Sequence, residues 1–433
     1  MVSPHFPPDT SAAAHRLRLL APHLPAHGWE PTVVAVDARD YEGRLDPGLA
    51  RLVPPTLRVV RARAWPASWT RRAGIGDLGL RAMAGLWRTC ARLLSDERFD
   101  ALFITIYPTY PALLGPLLKR RFRVPFVLDY QDPWIGAWGD TVGGGPGGTP
   151  DLKSRLSRRV ARWLEPLALH AADAVTAVSH RTYEEICQRH PELRRRACAA
   201  IPLGAEPADF EHARAARRPN PAFDPRDGDL HLAFVGTLLP LGIETLRAAL
   251  AALALARDRR PDLYGRIRWH FVGTSNQTRA TGAPRALPVA REFGVADRVT
   301  EIAARVDYLD AVTVHADAGA ILLLGSSEAH YTPSKLYPAL LSGRPILAVY
   351  HQDSSAVEIL KRAADPDACR VVTYSDAEPA ASRVEAILSA LVATAESAAA
   401  NPPRVARHAI GEYSARALAG ALAKILDAAR APR

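Results

Sequence analysis

Short apolar runs alternate with amphipathic stretches of helical period along most of this chain of 433 residues. In the first half, the runs 31–36 (PTVVAV) and 124–128 are separated by helical patterns such as 80–94. In the second half, the run 231–235 is followed by the helical pattern 243–257. Strands that alternate with helices form parallel sheets covered by helices on both faces. The sequence therefore predicts an α/β fold with two doubly wound, Rossmann-like halves.

The stretch 214–229 is rich in Pro, Arg and Asp and has no apolar period, which is typical of a linker between domains. We therefore predict an N-terminal domain over 1–213, a linker over 214–229 and a C-terminal domain over 230–405. A last helix over 406–433 is expected to pack back toward the first domain. Residues 3–9 resemble the loop after a first strand, so that strand is shortened or the true start lies upstream of Met1.

The net charge of +10 implies attraction to an anionic partner. Aromatic residues are few and are not interleaved with arginine, which argues against nucleic acid. Apolar runs are shorter than the roughly 18–20 residues of a membrane span. Four scattered cysteines without metal-like spacing predict free thiols in a reducing cytoplasm. We expect a cytoplasmic protein that binds a phosphorylated substrate or an anionic surface.

The predicted helix 151–171 is strongly basic. Its basic residues are Lys153, Arg155, Arg158, Arg159 and Arg162, and its apolar positions are Leu156, Val160, Trp163 and Leu167. The segment 119–123 (KRRFR) adds four more cations. A solvated face and a peripheral contact with an anionic membrane are both compatible with this pattern. The glycine-rich stretch 143–148 before it predicts a loop, because no strand precedes it.

The segment 318–349 predicts a strand, a loop, a helix and a second strand. Thr332 and Pro333 are typical of a helix start, which places Ser334 and Lys335 in the first turn and ends the helix at Gly343. Unpaired backbone N–H groups, a hydroxyl and a cation would suit a diphosphate there. An ordinary helix cap is equally compatible with the local pattern.

Several strings resemble those of the GT-B glycosyltransferases, in particular the family-4-like retaining branch (glycosyltransferase group 1). They are 5–36 (HFPPDTSAAAHR…), 172–179 (ADAVTAVS), 201–206 (IPLGAE), 234–237 (FVGT) and 333–354 (PSKLYPALLSGRP…). They span nearly the whole chain in the family's order. The resemblance implies two domains facing a central cleft, with a nucleotide-sugar on the C-terminal domain and the acceptor on the N-terminal one.

The resemblance also implies roles for individual residues. The donor-binding set is Gly236, Thr237, Gly273, Arg305, Glu328, Pro333, Ser334 and Lys335. A surface role for Arg305 is equally compatible with the sequence, and Glu328 would replace a family glutamate by a shift of two positions. Lys335 would also stabilise the leaving diphosphate. Asp129 and Asp132, at a predicted strand end, are candidates for a general base or for a hydrogen bond to acceptor or sugar, and Asp132 is otherwise a turn cap. On the acceptor side we expect His5, Asp9 and Arg16. No metal and no cofactor are implied.

The chain departs from the family where two glutamates usually stand, because His330 and Pro338 occupy those positions. We predict a bacterial cell-envelope enzyme, a hexosyltransferase that moves a sugar from a nucleotide-diphosphate-sugar to a lipid-linked or polysaccharide acceptor. The resemblance implies that the transfer retains the configuration of the sugar. It would lie in the cytoplasm, with peripheral contact at the inner face of the membrane left open. Two alternatives remain, a nucleotide-sugar epimerase on the same fold and a non-catalytic binding partner.

Overall fold

The structure is a computed structural model that describes residues 1–135, 152–275, 282–326, 334–399 and 407–430, with only the backbone at 152–158 and 407–409. The chain divides into two units. Unit 1 comprises Met1–Leu203 and Ala415–Arg433, and unit 2 comprises Gly204–Ser414. Each unit is an α/β assembly with a parallel sheet, as the alternation of apolar runs predicted.

Unit 1 has six parallel strands. They are β1 (Thr32–Val36), β2 (Arg58–Ala62), β3 (Leu102–Ile106), β4 (Phe126–Tyr130), β5 (Ala174–Ala177) and β6 (Ala197–Ala200). β1 pairs with β2, and β3 to β6 pair in sequential order. Val2 lies between the two sets, where it bridges Val34 and Ile104. A single residue thus occupies the place of a first central strand.

The helices of unit 1 cover this sheet. They are α1 (Ala14–Leu20), α2 (Pro47–Arg51), α3 (Ala67–Thr70), α4 (Leu78–Asp96), α5 (Leu114–Phe122), α6 (Leu152–Ala171) and α7 (His180–Arg189). Helix α4 shows why such segments form: Asp77 caps it by accepting from the Leu80 N–H at 2.8 Å. Its buried residues Ala82, Leu86, Cys90 and Leu93 recur at helical spacing and join the core of the sheet.

Unit 2 has a six-stranded parallel sheet. Its strands are β7 (Leu230–Val235), β8 (Ile267–Val272), β9 (Val299–Ile302), β10 (Ala320–Leu324), β11 (Ile346–His351) and β12 (Cys369–Tyr374). Their order is β12-β11-β10-β7-β8-β9. The strand order reverses between β7 and β10, and in open α/β sheets ligands bind beyond the carboxyl ends of the strands at such a switch point.

Helices lie on both faces of the sheet of unit 2. They are α8 (Pro207–Ala215), α9 (Ile243–Arg259), α10 (Pro261–Tyr264), α11 (Ala286–Glu292), α12 (Tyr308–Asp317), α13 (Leu336–Leu341), α14 (Ser355–Ala363), α15 (Val384–Ala399) and α16 (Arg407–Glu412). Leu322 packs with α9 and α15, whereas Ile321 and Leu323 pack with α12, α13 and α14. Neighbouring residues of β10 therefore enter opposite cores, which is the doubly wound arrangement.

The predicted domain limits differ from these units. Residues 204–229 belong to unit 2, where Tyr308 donates to Asp209 at 2.6 Å and Arg218 pairs with Asp310 at 2.6 Å. Phe210 is also buried and Phe223 packs against the core of unit 2, but these apolar residues are too few and too far apart in sequence to form a hydrophobic period. Helix α17 (Ala415–Arg430) lies in unit 1, where Leu418 and Leu422 share a core with α1. None of the helices in the described ranges is long and apolar enough to cross a lipid bilayer.

Candidate functional site

The loops after β7 and β8 meet at the switch point of unit 2. Gly236 follows β7 with a φ of +126°, a conformation that side chains rarely allow, and its N–H donates to the Val272 carbonyl at 2.8 Å. The Leu238 N–H donates to the Thr274 carbonyl at 2.9 Å. These bonds fix the backbone of Gly236 and Thr237 beside the carboxyl end of β10.

Lys335, which follows β10, returns to the loop after β7. Its Nζ donates to the Thr237 carbonyl at 3.1 Å and lies 4.0 Å from the centre of the Phe234 ring. A Cβ added at Gly236 would stand 3.3 Å from Lys335 Cδ, so the glycine leaves room for the lysine stem. Burial lowers the pKa of Lys335 to about 7, although the residue as a whole is only half-buried. The structure therefore brings together Gly236, Thr237 and Lys335, as the resemblance implied.

His315 on α12 is a site residue that the sequence analysis did not identify. It is buried, and its Nδ1 has no hydrogen-bond partner among the described residues. Burial, with a smaller contribution from the charge of Lys335, lowers the pKa of His315 to about 4. An anion bound nearby would raise the pKa of both groups. His315 stands among apolar residues of an ordinary helical pattern, and that pattern carries no signal for a site.

The helix that follows Lys335 is shorter than predicted. Helix α13 begins at Leu336, so Ser334 and Lys335 lie in a turn before it, with Ser334 exposed. Pro338 explains the difference, because its ring would clash with the carbonyl four residues earlier, at Ser334, in a continuous helix. A six-residue helix has a weak dipole, so the predicted diphosphate site depends on Lys335 and the β7 loop. Glu328, His330, Thr332 and Pro333 lie outside the described residues.

Glu301 and Arg285 support the loop after β8. Glu301 accepts from the N–H groups of Arg285 at 2.8 Å, Ala286 at 2.9 Å and Leu287 at 2.8 Å, and from the hydroxyl of Thr274. The Arg285 guanidinium donates to the Leu238 carbonyl. This network orders the backbone around Gly236 without contacting Lys335. Sequence reasoning missed it because the two residues belong to separate elements.

Gly273 and Arg305 occupy the same edge of the sheet at greater distance from Lys335. Gly273 follows β8 with a φ of +74°, and its N–H donates to the Ile302 carbonyl at 2.7 Å. Space is open where its Cβ would stand. Arg305 is half-buried in the loop between β9 and α12, two strands from β7. Gly273 is therefore well placed beside Gly236, whereas Arg305 is at the periphery.

Asp129 and Arg16 form a structural pair, which corrects their predicted roles. Arg16 Nε donates to Asp129 Oδ2 at 2.8 Å and Nη2 donates to Oδ1 at 2.6 Å, and both side chains are 0% exposed. Thr176 donates to Asp129 at 2.7 Å, and Arg16 also binds the Ile201 carbonyl at 2.9 Å. Asp129 lies inside β4 rather than at its end, so neither residue is available to an acceptor.

Asp132 lies beyond the end of β4, as predicted, and is exposed. It makes no hydrogen bond or ion pair with other residues in the described ranges. Desolvation by the surrounding chain raises the pKa of its carboxyl. Because solvent reaches the side chain, we expect this rise to be small. Asp132 is thus accessible to a ligand, unlike Asp129.

His5 and Asp9 form a close pair in the first loop of unit 1. His5 Nδ1 lies 2.5 Å from Asp9 Oδ2, and the Ser11 hydroxyl donates to the same oxygen at 2.6 Å. Burial raises the pKa of Asp9, but hydrogen bonds and the charge of His5 outweigh it and hold that pKa below its ordinary value. The rings of Tyr41 and Tyr107 flank the imidazole, with centroids at 6.2 and 5.8 Å. In the sequence, this pair is indicated by the fact that His5 and Asp9 lie four residues apart in one loop.

The basic helix α6 leaves two of its apolar positions, Trp163 and Leu167, exposed. Trp163 is 72% exposed and Leu167 is 51% exposed, whereas Ala161, Glu165 and Ala168 are buried. Small residues let the helix approach the sheet closely, and the bulky apolar residues remain outside. The side chains of 152–158 lie outside the described residues.

Comparisons with known proteins agree with this architecture. Residues 11–204 match the family model of the glycosyl transferase 4-like domain. No curated protein matches the sequence. Anabaena HepE, solved in complex with UDP and glucose, is similar over 98% of both chains with 14% identity and a TM-score of 0.60.

Two further structures are similar at comparable identity. The α,α-trehalose-phosphate synthase (UDP-forming) from Burkholderia vietnamiensis has 13% identity and a TM-score of 0.54, covering 82% of this chain and 76% of its own. The N-terminal domain of Candida albicans trehalose-6-phosphate phosphatase has 12% identity and a TM-score of 0.58, covering 98% and 96%. The family match shows that residues 11–204 form a glycosyl transferase 4-like domain, and the likenesses to solved structures show that the chain has the fold of these two-domain glycosyltransferases.

Proposed function

We propose that this protein transfers a hexosyl group from a UDP-sugar to a hydroxyl of a lipid-linked or polysaccharide acceptor. The observation that carries the proposal is the placement of the Lys335 ammonium between the ends of β7 and β10, at the switch point of unit 2. The similar structures support the nucleotide, because HepE was solved with UDP and glucose and the trehalose-phosphate synthase is UDP-forming.

Lys335 would stabilise the leaving diphosphate. Negative charge develops on a phosphate oxygen as the glycosidic bond breaks, and a nearby ammonium with fixed backbone N–H groups offsets that charge. Burial has already removed water from this ammonium, which strengthens its interaction with an anion. The backbone of Gly236 and Thr237 can approach the phosphates closely because Gly236 has no side chain. Retention of configuration and the lack of a metal or cofactor are proposed from the family resemblance alone.

His5, Asp9 and Asp132 would serve the acceptor. The Asp9 carboxylate lies against His5 Nδ1, which leaves Nε2 as the ring nitrogen that would accept a hydroxyl proton. The aromatic rings of Tyr41 and Tyr107 beside it suit a sugar face. Asp132 could hold a second hydroxyl.

The exposed surface of α5 and α6 favours a lipid-linked acceptor at an anionic membrane. The two helices are in contact, and α5 adds Leu117, which is 52% exposed, to the exposed Trp163 and Leu167. Four exposed arginines accompany these apolar side chains, namely Arg120, Arg121, Arg159 and Arg162. Tryptophan with nearby cations is typical of the membrane interface. We propose peripheral contact with the inner face of the bacterial membrane during polysaccharide synthesis for the cell envelope.

A transfer assay tests the proposal. The protein is incubated with radiolabelled UDP-sugars and a bacterial polyprenyl-lipid extract, and label is followed from the aqueous to the organic phase. We expect one UDP-sugar to give transfer, with release of UDP and loss of transfer in Lys335→Met. Conversion of one UDP-sugar into another without transfer would instead indicate an epimerase.

A binding protein without turnover is the second candidate, and Pro338 is the observation that favours it. Pro338 stands in α13, where the related enzymes commonly carry a glutamate, and it offers no carboxylate to a donor ribose. Such a protein would bind UDP or a UDP-sugar through Lys335 and release neither UDP nor sugar. The same assay, run with excess lipid acceptor, separates the two functions.

A further inference from the structure

The end of α6 and the turn after α7 bring two imidazoles and one carboxylate together in unit 1. The candidate ligand atoms of His170, His190 and Glu192 lie within 4.8 Å of one another. These residues belong to other elements than Lys335 and His5. We propose that His170, His190 and Glu192 bind one Zn²⁺ ion that ties the end of α6 to the end of α7.

The distances between the ligand atoms suit this ion. His170 Nε2 lies 2.8 Å from Glu192 Oε1, and His190 Nδ1 lies 3.7 Å from the same oxygen. Tetrahedral Zn²⁺ holds nitrogen and oxygen ligands at about 2.0–2.2 Å, which places neighbouring ligand atoms roughly 3.4 Å apart. The two separations fall on either side of that spacing, so small side-chain rotations complete the site. A water molecule would fill the fourth position.

A second carboxylate lies near one of the imidazoles. His190 Nε2 lies 3.6 Å from Oε2 of Glu165, which is fully buried. Metal-binding histidines commonly turn their other ring N–H toward a carboxylate, which fixes the tautomer and raises the basicity of the ligand. Glu165 is itself held, because Tyr130 and Arg189 each donate to it at 3.3 Å. A short movement of His190 toward Glu165 would therefore give the imidazole a carboxylate partner on the side away from the ion.

The surroundings favour zinc over other common cations. His170 lies in the last turn of α6, where the helix dipole attracts positive charge. Arg196 holds the backbone there by donating to the Leu169 and His170 carbonyls at 2.9 Å each. Glu192 lines a surface pocket of about 440 Å³ together with Asp173, Arg195 and Arg196, so its carboxylate is open to solvent. Two imidazole ligands disfavour Mg²⁺ and Ca²⁺, which take oxygen ligands, and suit Zn²⁺ and the other late transition metals.

Zinc binding is tested with the untagged full-length chain after dialysis against a chelator. ZnCl₂ is titrated by calorimetry, and thermal unfolding is followed with and without Zn²⁺. We expect one ion per chain, a rise in Tm that saturates, and loss of the rise below about pH 6, where imidazoles are protonated. His170→Gln and Glu192→Gln should each weaken binding about tenfold or more.

His180→Gln is the matched control, because it removes an exposed imidazole that lies 4.0 Å from Glu184 and has no second histidine beside it. It should bind Zn²⁺ as the wild type does. Thermal unfolding in the presence of chelator shows whether each variant is folded. If His170→Gln is not folded, the comparison with the wild type rests on Glu192→Gln. Absence of saturable binding, or unchanged binding in both site variants, would overturn the proposal. Neither result bears on sugar transfer.

Discussion

Arg16 and Asp129 form a bidentate ion pair that is wholly buried in unit 1, with N···O distances of 2.8 and 2.6 Å. The pair fastens α1 to the interior strand β4. Removing one partner leaves the other charge buried and unpaired, which typically costs about 3–5 kcal/mol. We expect Asp129→Asn to lower the free energy of unfolding by about this amount, measured by urea denaturation.

Asp132→Asn is the matched control for this prediction. Asp132 lies three residues further along the chain and is exposed. Its substitution should leave the free energy of unfolding unchanged and lower sugar transfer. An Asp129→Asn variant as stable as wild type that loses only turnover would restore Asp129 to the acceptor site.

Lys335→Met should stabilise the protein without ligand while it weakens UDP binding. The folded-state pKa of about 7 is below the ordinary value of 10.5, so the folded protein binds the proton less readily than the unfolded chain. The free energy of unfolding is therefore reduced by the buried ammonium. This reduction is complete below about pH 7 and disappears as the pH rises toward 10.5. The gain in Tm should therefore be largest near pH 6 and smallest near pH 10. A gain that grows with pH would contradict the buried ammonium.

His5→Asn should impair use of the acceptor and leave the donor site intact. A positioned acid or base typically contributes about 10²–10⁴-fold to turnover. We therefore expect kcat/KM for the acceptor to fall about 100-fold or more with UDP binding unchanged. His212→Asn, on the exposed surface of α8, controls for loss of an imidazole. Equal acceptor kinetics in the two variants would remove His5 from the site.

The surface of α5 and α6 should bind anionic vesicles. Coulomb attraction weakens as salt screens it, so sedimentation with anionic vesicles should be strong at low salt and weak at high salt. The single variant Trp163→Ser and the double variant Arg159→Gln, Arg162→Gln should each reduce sedimentation with anionic vesicles. The control is the double variant Arg266→Gln, Arg291→Gln, which removes the same amount of positive charge from exposed positions of unit 2. Equal binding to neutral vesicles, or equal loss in the control pair, would contradict this surface.

The alternating apolar runs predicted the doubly wound fold because each buried strand is continuous in sequence. The site at β7 and β10 was predictable for a related reason, since Gly236 and Lys335 each follow a strand whose carboxyl end lies at the switch point. Sequence alone could not show that Lys335 would turn back to the Thr237 carbonyl, 98 residues earlier in the chain. That contact depends on which strands are neighbours.

The predictions that failed also depended on contacts between distant parts of the chain or on local packing. Asp129 has the residue type and approximate position of a catalytic acid, but its burial with Arg16 depends on a contact across 113 residues. Trp163 and Leu167 follow the apolar period of a buried face, yet small residues pack against the sheet instead. Pro338 shortened the predicted helix at its start, because a proline disturbs the turn that precedes it.

Calorimetric titration of UDP into the wild type, Lys335→Met and Gly236→Ala tests the central claim most directly. Gly236→Ala would strain a positive φ and crowd Lys335, whereas Gly28→Ala strains a φ of +82° in unit 1 with no neighbour within 4 Å. We predict saturable binding to wild type and to Gly28→Ala, with affinity at least about tenfold weaker in the two site variants. UDP binding of equal strength in all four proteins would show that the nucleotide does not bind at Lys335.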